Sequence, residues 1–99
     1  MMMIERQRAI VSGQSVPRLP RHVRIQFDPV RQAHAVLSPE KVFWPNEASL
    51  DILKLCDGRR TVDEITEDLA RDYDASPQEM AGDVAAFLQE WADKLLVRL

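Results

Sequence analysis

The sequence predicts an α+β domain, a three-stranded antiparallel sheet followed by three helices in a winged-helix-like order. Three observations point there. Between residues 21 and 45 apolar and polar residues alternate in short runs broken by Pro-containing turns, the period of half-buried strands. From residue 46 onward the apolar spacing changes to three and four, the period of amphipathic helices. Helix-start signatures at Asn46, Thr61 and Ser76 divide that second half into three segments. Neither layer buries its apolar face alone, because a small sheet needs a cover and short isolated helices are marginal in water. The two must share one core.

Residues 1–20 read as a flexible N-terminal tail and residues 21–99 as the folded domain. Ser12-Gly13-Gln14-Ser15 is a polar flexible stretch, and Pro17 and Pro20 bracket Arg18-Leu19 without a sustained period. Strand 1 is His22-Val23-Arg24-Ile25-Gln26-Phe27, and Asp28-Pro29 turns the chain into strand 2, Ala33-His34-Ala35-Val36-Leu37. A second turn at Ser38-Pro39-Glu40 leads to strand 3, Lys41-Val42-Phe43-Trp44, which stops at Pro45. Asn46 caps the first helix, with Leu50, Ile52, Leu53, Leu55 and Cys56 at helical spacing and Gly58 as its C′ residue. Thr61-Val62-Asp63-Glu64 and Ser76-Pro77-Gln78-Glu79 are both capping-box patterns. The first opens a helix lined by Val62, Ile65, Leu69 and Tyr73. The second opens a longer one, residues 77–95, lined by Met80, Val84, Phe87, Leu88, Trp91 and Leu95.

The residue inventory argues against several functions. Ninety-nine residues make a single small domain with little room for a deep cofactor cleft. No apolar run approaches the ~20 residues of a membrane span, and no signal-peptide stretch opens the chain. With one cysteine and no such segment, the chain reads as cytoplasmic. Cys56 falls on an apolar stripe and reads as packing. His22 and His34 lack further ligands at metal spacing, and the three glycines form no phosphate loop. No catalytic constellation, cofactor or metal site is expected. Charge is split: residues 1–60 hold ten Lys/Arg and six Asp/Glu, residues 61–99 three and ten. Helix 3 carries Glu79, Asp83, Glu90 and Asp93 against Lys94, and would repel a DNA groove. A basic patch of Arg18, Arg21, Arg24 and Arg31 lies on tail and sheet instead. A winged-helix DNA-binding regulator is thus the weaker reading.

Strand 3 is the most informative segment. Val42 and Trp44 point to one face and Lys41 and Phe43 to the other, so each face carries a large apolar group. As the last strand of a meander it leaves an open edge, suited to pairing with an added peptide strand. Hydrogen bonds on so short an edge give only ~1 kcal/mol each, against ~2–5 kcal/mol to order a peptide. Apolar burial must supply the rest, and the Val84, Phe87, Leu88, Trp91 stripe of helix 3 is the natural wall. Truncating Phe43 or Trp91 is expected to weaken such binding and leave the fold intact. A structural homodimer pairing the same edge with its own copy is the other alternative.

The segments Ser38-Pro39-Glu40, Asn46, Ile52-Leu53-Lys54-Leu55-Cys56-Asp57-Gly58-Arg59-Arg60-Thr61-Val62 and Ile65 resemble the pyrroloquinoline quinone (PQQ) biosynthesis protein D family, PqqD. The resemblance covers roughly residues 18–99, and Pro45 stands where the family commonly has leucine. It implies a non-catalytic peptide chaperone of the RiPP recognition element type. Such a protein binds the precursor peptide PqqA and delivers it to the radical SAM enzyme PqqE, to which the cofactors belong. It further implies that Lys41, Val42, Phe43 and Trp44 hold the peptide against Val84, Phe87, Leu88 and Trp91. Arg59 and Arg60 read as solvated residues past the helix end or as a charged docking surface for the enzyme.

Overall fold

The computed structural model describes residues 8–99. Strands β1 (Arg24–Asp28), β2 (Ala33–Leu37) and β3 (Val42–Phe43) precede helices α1 (Glu47–Lys54), α2 (Val62–Asp72) and α3 (Pro77–Asp93). The sheet is antiparallel in the order β1-β2-β3, as the alternation predicts. Ile25 faces Val36, and Val36 faces Phe43, placing these three on the helix side. The Asp28 carboxylate accepts the Val30 and Arg31 backbone N–H groups in the β1–β2 turn. Val36, Leu53, Ile65, Val84 and Leu88 are essentially sealed in the core between sheet and helices.

The helix starts follow the expected chemistry. Asn46 accepts from the Ser49 N–H at 2.8 Å. Thr61 and Glu64 form a reciprocal capping box, at 3.1 and 2.9 Å. Ser76 accepts from the Glu79 N–H, with Pro77 in the first turn where its missing donor does no harm.

Several features differ from the sequence reading, beginning with β1, which runs from Arg24 to Asp28 and not from His22 to Phe27. Strand 3 is two residues long, because Ser38 and Lys41 close a tight turn at one end and Pro45 stops pairing at the other. Helix α3 ends at Asp93. The Leu95 and Leu96 N–H groups bond back to the Ala92 and Trp91 carbonyls, with Leu95 in the left-handed region at φ 64°. That reversal returns Leu96 and Val97 to the core. Gly58 lies beyond the C′ position, in a turn where φ is +77°, and donates to the Pro17 carbonyl. Tyr73 is largely exposed rather than part of the α2 stripe.

A further difference is the segment expected as a tail. Part of it, residues 1–7, lies outside the described residues. Residues 8–20 pack on the domain instead of trailing from it. The Gly13 and Ser15 carbonyls accept the Asp63 and Val62 N–H groups, satisfying donors that a helix start leaves orphaned. Arg18 exchanges two 2.8 Å backbone bonds with Arg98, and Pro17 and Pro20 are buried. Arg8 grips Asp93 through two 2.8 Å bonds. These partners are distant in sequence, so no local period could announce them.

Candidate functional site

β3 is one of the two edges of the sheet, β1 being the other, and among the described residues no strand pairs on its far side. The Ser38 N–H bonds to the Lys41 carbonyl at 3.0 Å, which sets the alternation along the strand. Lys41 and Phe43 direct their backbone groups toward β2. Val42 directs its N–H and C=O outward, and Trp44 its N–H. The open edge therefore offers about three backbone hydrogen bonds, worth ~1 kcal/mol each, too few to hold a flexible chain unaided.

Apolar surface lies on both sides of that edge. On the helix side Phe43 stacks at 5.5 Å from Trp91, and Trp91 at 5.2 Å from Phe87. Trp91 is 7% exposed and so belongs to the core, whereas Phe43 and Phe87 are only partly buried. Val84 and Leu88, at 1% and 0% exposed, lie beneath this ladder and present no free surface. The ladder thus opens to solvent through Phe43 and Phe87, with Trp91 as the rigid plate between them. A cavity of about 320 Å³ continues the groove past Phe43, lined by Ser38, Lys41, Lys94 and Leu96. Lys94 is held there by Glu90 at 3.3 Å.

On the opposite face Val42 and Trp44 are 53% and 43% exposed. Together with Gln26, Ala35 and Leu37, which share that face by register, they line a second cavity of about 290 Å³. The Arg31 guanidinium lies 4.6 Å from the centre of the Trp44 ring. Sequence reasoning singled out Trp44 and named Arg31 only in a basic patch, without placing it beside Trp44. The strand-pairing register is what brings the far end of the hairpin beside Trp44. Phe27 stacks edge-on against His34 at 5.0 Å.

Arg59 and Arg60 occupy the α1–α2 connection. Arg60 bonds to Asp57 at 3.0 Å and Asp68 at 3.4 Å, tying the connection to α2. Arg59 donates only its backbone N–H, to Asp57 at 2.9 Å, and its guanidinium makes no ion pair among the described residues. The Asp57 carboxyl is held below its usual range, first by that Arg59 N–H and then by the Arg60 charge. Burial pushes the Cys56 thiol up to about 12, which leaves it unreactive near neutrality. Among the described residues no group of three His, Cys, Asp or Glu side chains could hold a metal ion. Among the described residues no helix is long and apolar enough to cross a membrane.

The family model for Coenzyme PQQ synthesis protein D (PqqD) matches residues 33–97, from β2 through the returning C-terminal segment. The chain belongs to the PqqD family. It is 48% identical over 84 residues to a PqqA binding protein of Rhodopseudomonas palustris (strain HaA2), covering 85% of this chain and 82% of that one. It is 45% identical over 83 residues to the Bifunctional coenzyme PQQ synthesis protein C/D of Methylorubrum extorquens, covering 84% of this chain and 22% of that larger protein. The fold matches a solution NMR structure of the PqqD truncation of Methylobacterium extorquens PqqCD, described as a functional and stand-alone RiPP recognition element. That match has a TM-score of 0.76 and 42% identity, over 90% of this chain and 95% of that one. The crystal structure of PqqD from Xanthomonas campestris matches with a TM-score of 0.57 and 31% identity, over 90% and 99%.

The residues that carried the PqqD resemblance turn out to build the scaffold. Asn46 caps α1, Asp57 accepts the N–H groups of Arg59 and Arg60, Gly58 adopts a left-handed turn, and Val62 and Ile65 are buried. They hold α1 and α2 in place beneath the sheet, and the groove between β3 and α3 follows from that placement.

Proposed function

We propose that this chain is a peptide chaperone of PQQ synthesis. It holds the precursor peptide PqqA as a fourth strand on β3, against Phe43, Phe87 and the Trp91 plate, and presents it to the radical SAM enzyme PqqE. Val84 and Leu88 serve this grip from beneath, by fixing the plate, and Lys41 flanks the groove mouth. Catalysis and its cofactors stay with the enzyme, and the work is done in the cytoplasm. The reading is supported above all by one observation, the unpaired outer edge of β3 running beside a partly exposed aromatic ladder. Relatives named as PqqA binding proteins support the choice of guest. Holding a guest beside an active site raises its effective concentration there. Arg59, exposed and unpaired among the described residues, is the proposed contact to the enzyme.

Titrating PqqA into the ¹⁵N-labelled chain tests this. Saturable shifts are expected in the β3 amides and around Phe87 and Trp91. A spectrum that PqqA leaves unchanged rejects the reading. Light scattering without peptide checks the competing occupant, a second copy on the same edge. A dimer that PqqA does not dissociate would place the guest elsewhere.

A further inference from the structure

We infer that the guest strand is read on both faces of the sheet, and that Val42, Trp44 and Arg31 form an outer-face subsite for a guest side chain ending in a carboxylate. The inference rests on the strand-addition reading above and adds a second point of recognition to it. In any added strand successive side chains alternate between faces. The guest residue directly across from Val42 must land on the outer face, its Cβ ~4.5–5.5 Å from that of Val42, with Trp44 within diagonal reach. Both receiving side chains are available, being 53% and 43% exposed.

Charge decides the chemistry of the occupant. Arg31 is stacked over Trp44 and forms no ion pair among the described residues. Asp28, the carboxylate nearest in sequence, is engaged by the Val30 and Arg31 backbone N–H groups. Arg24 shares the outer face by register and is likewise unpaired there. A guanidinium lying on an indole keeps its N–H edge free for a carboxylate, while the ring removes water from one of its faces. The attraction is then stronger than that of an arginine surrounded by solvent. The acidic surfaces of α2 and α3 meanwhile disfavour an acidic guest elsewhere on the molecule. Val42 and Trp44 thus supply an apolar floor for a side-chain stem, and Arg31 the counter-charge for its head.

The two indole N–H signals, from Trp44 and Trp91, are followed separately in the ¹⁵N spectrum as PqqA is added, with Trp44→Phe giving the assignment. The Trp44 signal is expected to move with the same saturation curve as the β3 amides. Arg31→Ala, an exposed turn position, should weaken PqqA binding ~five- to tenfold and reduce its salt dependence. Replacing one particular acidic residue of PqqA by its amide should cost the same factor, and Arg31→Ala should then add nothing. Arg31→Glu should prefer the peptide carrying Lys at that position. A Trp44 signal that stays still while the β3 amides shift overturns the subsite and leaves the strand-addition reading standing. So does an Arg31→Ala effect that persists undiminished in every carboxylate variant. Absence of β3 shifts overturns strand addition itself, and the subsite with it.

Discussion

Phe43→Ala separates grip from scaffold. Phe43 leans on Trp91 at 5.5 Å and is partly exposed, so its loss removes an aromatic pair and only part of a core contact. Aromatic pairing contributes ~0.5–1.5 kcal/mol, and the partial burial brings the folding cost to ~2 kcal/mol. A domain of this size has ~5–15 kcal/mol in hand, so the variant stays folded. Roughly 40–60 Å² of a ~200 Å² phenylalanine remains for a guest to cover, worth ~1–1.5 kcal/mol, or roughly five- to tenfold in PqqA affinity. Trp91→Ala behaves differently. At 7% exposure it is a core residue, and its truncation costs ~3–5 kcal/mol, a large share of that stability. The buried position of Trp91 thus changes the expectation for its truncation from an intact fold to a marked loss of stability. Urea unfolding gives the stability of each variant, and titration with PqqA at matched folded fraction gives the affinity. Unchanged PqqA affinity in folded Phe43→Ala would refute the groove, and a fully stable Trp91→Ala would refute the assignment of Trp91 to the core.

Three further outcomes are expected. Thr61→Ala removes one half of the α2 capping box and should cost ~1 kcal/mol, seen as a melting-point drop of ~4–8 °C. Arg60→Glu breaks the ties to Asp57 and Asp68 and should lower stability, whereas Arg59→Glu should leave the melt unchanged and weaken only retention on PqqE in a pull-down. Asp57, Glu64 and Asp93 are each held below the ordinary values of 3.8 and 4.5, chiefly by the Arg59 N–H, the Thr61 N–H and the Arg8 guanidinium respectively. Such carboxyls bind more protons unfolded than folded. Their contribution is complete above the ordinary values and disappears as pH falls through the lower folded ones. Acid melts should therefore fall off below pH ~4, and Asp57→Asn with Asp93→Asn should make that fall shallower.

Much of the architecture was legible because it is local. A cap needs its acceptor within three residues, as at Asn46, Thr61 and Ser76, and a strand or helix reports its buried face in its own period. Strand 3 announced itself by placing Phe43 and Trp44 on opposite faces, which an ordinary amphipathic strand does not do. The family resemblance rested on the same local signals, which is why its residues proved to be scaffold.

What stayed hidden depends on partners far apart in the chain. Nothing near Gly13 or Ser15 signals that their carbonyls complete the start of α2, and nothing near Arg18 signals Arg98. The helix period could place Val84, Phe87, Leu88 and Trp91 on one face, but depth along that face is set by how closely β2 and β3 approach α3. That approach left Phe87 reachable, sealed Val84 and Leu88, and made Trp91 a plate. Likewise the alternation of residues 41–44 settled which side chains share a face, while only the pairing register brought Arg31 over Trp44. By itself the chain determined the elements and their caps, because those interactions span a few residues. Tertiary packing decided which apolar groups remain open to a guest, because exposure is a property of neighbours and not of sequence position.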